Sequence, residues 1–179
     1  LNNFAESCDK QSVHLKAAGL PRQTASVILP GPNVKEGEVF APNYKNGEKI
    51  ALVRYPHGGK FEIPILTVNN NNPMAKKMIG ADSTTAIGIH HTTAEQLSGA
   101  DFDGDTVTCM PLNSRINIKS QPAVKSLIDF EPKVAYKGFE GMKVISKKDS
   151  GTEMGKITNL ITDMTMIGAP VSDVVDAVK

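Results

Sequence analysis

Between Ala25 and Met110 the chain runs through six short stretches rich in β-branched residues, each closed by a turn signal. Ala25–Leu29 stops at Pro30-Gly31-Pro32, and Glu38–Ala41 is followed by Asn46-Gly47, the strongest short-range hairpin signal. Lys49–Tyr55, Phe61–Val68, Thr84–Ile89 and Thr106–Met110 complete the set. Short strands at such spacing favour a β-barrel or a sandwich. Pro64 carries no amide donor, so it demotes its run to an edge or a bulge.

Helical signals punctuate these strands. Asn72 as N-cap, Pro73 at the first helical position and Gly80 past the end bracket a helix over Met74–Ile79. Thr92-Thr93-Ala94-Glu95 has the form of a capping box, and Gly99 supplies a stop. Residues 114–150 mix turns, lysines and short apolar pieces without a clear period. From Thr152, Met154, Ile157, Leu160, Ile161, Met164 and Ile167 recur at helical spacing, which predicts a helix whose methionines fill a core. Gly168-Ala169-Pro170 ends that helix. Ser172 is placed to cap a last one over Asp173–Val178.

Composition narrows the class. The 179 residues suffice for one sizeable core or two small ones. The chain is 40% hydrophobic and 22% charged, as soluble globular proteins are. No apolar run approaches the roughly 20 residues needed to span a bilayer, and no signal peptide is visible. A net charge of +1 exerts no global pull on nucleic acid, so any such binding must be local. Cys8 and Cys109 make no disulfide framework, which points to a reducing cytoplasm. The chain starts at Leu1 and stops at Lys179 within an apparent helix, so both ends read as cuts from a longer protein.

The chemistry is concentrated in Ser98-Gly99-Ala100-Asp101-Phe102-Asp103-Gly104-Asp105. Three carboxylates alternate within five residues. Alternate residues of an extended segment point the same way, and a bend at Gly104 would bring all three onto one point. Converging anions repel, and a hard divalent cation such as Mg²⁺ relieves the repulsion. A merely solvated turn would leave that cost uncompensated.

Three metal chemistries compete for this loop. Asp101, Asp103 and Asp105 match the first, third and fifth positions of an EF-hand, but Thr106 and Leu112 stand where it needs Gly and Glu. A metal-dependent phosphatase or phosphotransferase would use Asp103 as nucleophile at the end of a buried strand, whereas Glu95–Ala100 is polar and helix-like. In nucleotidyl transfer, carboxylate-held cations activate a 3′-hydroxyl and shield phosphate charge. Outside catalysis, the loop would serve a cation-binding or nucleic-acid-binding module.

Gly99–Asp105 resembles the catalytic loop of the largest subunit of multisubunit RNA polymerases, Asn-Ala-Asp-Phe-Asp-Gly-Asp, with Gly99 in place of the leading Asn. Ser98-Gly99 is similar instead to the RNA-dependent RNA polymerases of RNA silencing. Arg54-Tyr55-Pro56 resembles the Arg-x-Pro element of both families, Ala86–His90 their strand ending in His, and Pro111-Leu112 the residues after the loop. The long helix from Thr152 also resembles the silencing-type enzymes. The mixture looks most like the single-chain RNA polymerases of bacteriophages and prophages.

The resemblance implies an α+β fold. Residues 24–113 would form a catalytic double-psi β-barrel with short inserted helices, between a flanking segment (1–23) and a linker with C-terminal helices (114–179). Asp101, Asp103 and Asp105 would hold catalytic Mg²⁺, or Mn²⁺ in its place. Arg54 would contact the incoming nucleotide or the primer end, and Pro56 would shape that loop. The family's His and Arg after the Pro are replaced by His57-Gly58-Gly59-Lys60, with Lys60 as a candidate second charge. His57, His90 and His91 lack cysteines or carboxylates at ligand spacing and read as packing histidines. Lys147-Lys148 reads as a solvated pair. The implied partners are nucleoside triphosphates, an RNA product, a DNA or RNA template and a second barrel that supplies phosphate-binding lysines. By this reading the 179 residues alone make no RNA.

Overall fold

The computed structural model describes residues 23–113 and 118–179. The chain divides into two compact units, one ending at Gln121 and one spanning Pro122–Lys179. Most of the expected N-terminal flanking segment lies outside the described residues.

In the first unit, six strands close into a barrel: β1 (Thr24–Pro30), β2 (Glu38–Phe40), β3 (Lys49–Val53), β4 (Ile65–Val68), β5 (Ala86–Ile89) and β6 (Thr106–Pro111). Their order around the ring is β1-β5-β2-β4-β3-β6. The pairs β1/β5 and β2/β4 are parallel and the other four antiparallel. Alternation decides what faces inward. Ser26 and Ile28 of β1 and Leu66 and Val68 of β4 are buried, while their neighbours are partly exposed. The interior is a single cluster that includes Ile28, Val39, Ile50, Leu52, Ile87, Ile89 and Val107. Burying each such aliphatic side chain is worth about 1.5–3 kcal/mol. β3 is buried on both faces, because Ala51 and Val53 pack with Met110 in a second, outer cluster covered by Ile63, Ile65, Leu112 and Ile118.

Several sequence expectations change in this ring. The hairpin signalled by Asn46-Gly47 does not form, since β2 and β3 are not neighbours. Gly47 takes a left-handed φ of 82°, and its amide donates to Val68 O at 2.8 Å, so the turn is spent on laying β3 beside β4. A closed ring has no edge for Pro64. The run Phe61–Val68 is broken instead: a 3-10 turn (Lys60–Glu62) comes first, β4 starts after Pro64, and the Pro64 carbonyl accepts from Leu52 N at 3.0 Å. Gly88 of β5 lies against Gly31, which follows the end of the parallel strand β1. A Cβ on Gly88 would meet Ile79 Cδ1 at 2.6 Å and Gly31 Cα at 3.2 Å.

Helix α1 (Pro73–Ile79) is capped as expected, with Asn72 Oδ1 accepting from Ala75 N at 3.0 Å. Helix α2 (His91–Gln96) starts one residue before the expected capping box. His90 is its cap: Nδ1 accepts from Thr92 N at 3.4 Å and bonds Thr92 Oγ1 at 2.8 Å, which takes Thr92 out of the capping role.

The second unit is helical: α3 (Lys125–Ile128), α4 (Pro132–Ala135), α5 (Lys147–Met166) and α6 (Val171–Val178). α5 begins before Thr152, because Ser146 Oγ accepts from Asp149 N at 3.1 Å and caps it. Ser172 is not a cap; α6 is entered from Pro170, and Ser172 Oγ donates to Asp173. The expected methionine core is absent as well. No side chain of α5 is buried, and Met154 and Leu160 stand about half exposed. Only Val174 and Val175 of α6 are buried in this unit. No helix among the described residues is long and apolar enough to cross a membrane.

Candidate metal centre

The acidic loop connects α2 to β6, and apolar anchors alternate with its carboxylates. Leu97 is fully buried, and Ala100 is buried in the barrel core. Between them Ser98 (φ 57°) and Gly99 (φ 63°) reverse the chain in left-handed conformations. Phe102 packs against the barrel core, which leaves Asp101 and Asp103 on the solvent side. The Asp105 carbonyl accepts from Ile28 N at 3.0 Å and ties the loop to β1.

The carboxylates converge by a turn rather than by extended alternation. Residues 102–104 form the turn, with Gly104 at φ 122°. Asp105 Oδ2 accepts from Asp101 N at 3.1 Å, and Asp101 Oδ1 accepts from Asp103 N at 3.2 Å. One carboxylate oxygen from each of Asp101, Asp103 and Asp105 lies within 4.8 Å of the others. Among the described residues this is the one group of three or more His, Cys, Asp or Glu side chains able to share a metal ion. Crowding splits the acidities. A hydrogen bond from the Asp103 carboxyl holds Asp101 below the usual carboxylate range. The same bond and the Asp101 charge push Asp103 above it.

Arg54, just past β3, joins the cluster from across the sequence. Its Nη2 donates to Asp105 Oδ1 at 3.1 Å and lies 3.0 Å from Oδ2, while Nη1 donates to Ser98 O at 3.3 Å. Pro56 is exposed in the following loop, after a cis peptide bond from Tyr55. Lys60 is exposed in the 3-10 turn, and Lys147 and Lys148 are exposed at the start of α5. The His57 ring lies 5.5 Å from that of Tyr55, and burial pulls its pKa down. The rings of His90 and His91 are 4.2 Å apart, and neither joins the carboxylate group.

No protein-family model matches this chain, and neither does any curated protein.

The donor set suits a hard divalent cation. It offers only carboxylate oxygens, two of its three residues face solvent, and the neighbouring carboxylates raise the pKa of Asp103. The open side leaves room for waters and phosphate oxygens, which Mg²⁺ retains as ligands.

One residue near the cluster, Glu62, escapes a sequence reading. Glu62 is buried and accepts from Gly58 N, and burial raises its pKa. The available signal was a lone carboxylate inside the apolar run Phe61-Glu62-Ile63-Pro64-Ile65.

Proposed function

We propose that this chain is the catalytic-aspartate barrel of a two-barrel RNA polymerase, a double-psi β-barrel in a DNA-templated, phage-type enzyme that adds nucleoside triphosphates to an RNA 3′ end. The observation that carries the reading is the convergence of Asp101, Asp103 and Asp105 at the mouth of a closed six-stranded barrel, with Arg54 bound to one of them.

Asp101, Asp103 and Asp105 would hold Mg²⁺, or Mn²⁺ in its place. When bound, the ion would lower the pKa of a 3′-hydroxyl and neutralise phosphate charge. The chain's own residues supply position. Phe102 and Leu97 anchor the loop in the core, so the carboxylates are presented without reorganisation. Arg54 orients Asp105 and keeps a positive charge at the rim, where the ribose or primer end would lie. Pro56 shapes the loop that carries Arg54. A second barrel elsewhere in the parent protein would bind the triphosphate.

The phosphatase alternative needs a strand running into the nucleophile. Here α2 and a turn precede Asp103, and the strand follows Asp105. In the full-length parent, Asp103→Ala should abolish RNA synthesis and leave the fold intact; retained synthesis by a folded variant refutes the assignment. The 179-residue chain alone should give no primer extension with Mg²⁺, all four nucleotides and either template, since positioning and charge neutralisation supply nearly all of phosphoryl-transfer catalysis. Extension that is lost in the Asp103→Ala chain would show a complete site within these residues.

A further inference from the structure

We propose that Asn46 is a site of covalent modification: the Gly47 amide displaces ammonia from its side chain, and the closed barrel holds that reaction off until the turn carrying both residues opens. The inference is independent of the polymerase reading.

Asn-Gly occurs once in the chain, and Asn46 is exposed to water. The chemistry is intrinsic to the pair. The Gly47 nitrogen attacks Asn46 Cγ and a C–N bond forms. The bond from Cγ to Nδ2 breaks, and Nδ2 leaves as ammonia with the proton lost from the Gly47 amide. Water then opens the cyclic imide at either carbonyl, which gives aspartate or isoaspartate. Gly47 favours the attack because no side chain shields its nitrogen or restricts its backbone.

The fold occupies both reacting groups. Gly47 N donates to Val68 O at 2.8 Å, and Asn46 Oδ1 accepts from Asn70 N at 2.8 Å. Asn70 is itself fixed, since its Oδ1 accepts from Ala41 N at 3.0 Å and its Nδ2 donates to Tyr44 O at 2.9 Å. Within the turn, Glu48 N donates to Lys45 O at 3.0 Å, and Glu48 Oε2 accepts from Lys45 N at 3.1 Å. Val68 N also donates to Glu48 O at 2.8 Å, so these bonds carry the β3/β4 pairing past Lys49 into the turn. The Gly47 nitrogen must leave Val68 before it reaches Cγ, and cyclisation therefore waits for local opening.

The two products differ in what they do to the barrel. Aspartate at position 46 keeps an acceptor for Asn70 N. Isoaspartate routes the main chain through Cβ and Cγ, one atom longer. That moves Gly47 N off Val68 O and disturbs the register of β3 on β4.

The test ages the full 179-residue chain at mildly alkaline pH, folded and in guanidinium chloride, and follows the peptide containing Asn46 by mass spectrometry. The denatured chain should convert about twenty-five-fold faster, because two hydrogen bonds hold the reacting groups and each is worth about fivefold. A ratio below about fivefold, less than one bond supplies, overturns the proposal. Glu48→Ala removes the side-chain tether on Lys45 N. It should speed conversion of the folded chain about fivefold and leave the denatured rate unchanged. A folded Glu48→Ala chain that ages at the wild-type rate counts against control by the turn; should this variant fail to fold, the wild-type ratio decides alone. Refolding the aged mixture separates the products. Aspartyl chains, and the Asn46→Asp variant, should regain protease resistance, whereas isoaspartyl chains should stay sensitive. Isoaspartyl chains that refold to full resistance overturn the consequence assigned to them.

Discussion

Arg54 reaches across 51 positions of the chain to place Nη2 within 3.1 Å of both carboxylate oxygens of Asp105. Both side chains are about one-quarter exposed. The contact links the end of β3 to the start of β6 and ties the one guanidinium among the described residues to the acidic cluster. Arg54→Ala should cost up to about 1 kcal/mol of stability in low salt, the range of exposed and half-exposed pairs. The loss should shrink in high salt, where the pair is screened. Urea denaturation at two ionic strengths measures both; an equal loss at each would mean that packing, rather than charge, is at stake.

The neighbouring carboxylates make Asp103 harder to ionise than an isolated aspartate. Removing its charge should relieve repulsion when no divalent ion is present and remove a ligand when one is. Without divalent ions, Asp103→Asn should melt at or above the wild-type temperature. In millimolar Mn²⁺ the wild type should gain a few degrees and the variant should not. Thermal melts with and without Mn²⁺ check this; an equal gain in both proteins would place the ion elsewhere.

Burial lowers the pKa of His57, and its Nδ1 is buried without a hydrogen-bond partner. The folded state therefore disfavours the imidazolium. Its contribution to stability is fully present above the unfolded value near 6.5 and is lost as pH falls toward the depressed folded value. The wild type should lose more stability than His57→Gln between pH 8 and pH 5. Denaturation curves at both pH values test the sign.

Cys109 is fully buried in β6, and burial pushes its thiol up to about 12. The thiolate is the reactive form, so native Cys109 should resist alkylation at pH 8. Labelling of its peptide, read by mass spectrometry, should proceed at the rate of unfolding and become fast in denaturant. Rapid labelling of the folded chain would show that β6 opens locally.

Much of the barrel was legible in the sequence because its signals are local. β-branched runs and turn residues located all six strands, and Asn72-Pro73 and Gly80 marked α1. Periodicity also found α5, but not its environment. A helical stripe records which residues share a face, not whether anything covers that face, and Met154 and Leu160 remain half exposed. Cap residues were misassigned where a neighbour competed, as His90 did with Thr92.

The three aspartates were equally plain, since like charges at that spacing need a reason whatever the fold. By itself the sequence determined the strand set and the acidic loop whose three carboxylates could share a metal ion. Tertiary structure alone decided the strand order, which leaves the Asn46-Gly47 turn without a hairpin, and the contacts of the site. Arg54, Ser98 and Asp105 meet only because the end of β3, the turn after α2 and the start of β6 come together when the barrel closes. Chain order carries no record of such meetings. They depend on which strands pair when the ring closes, and that is a property of the whole core rather than of any segment.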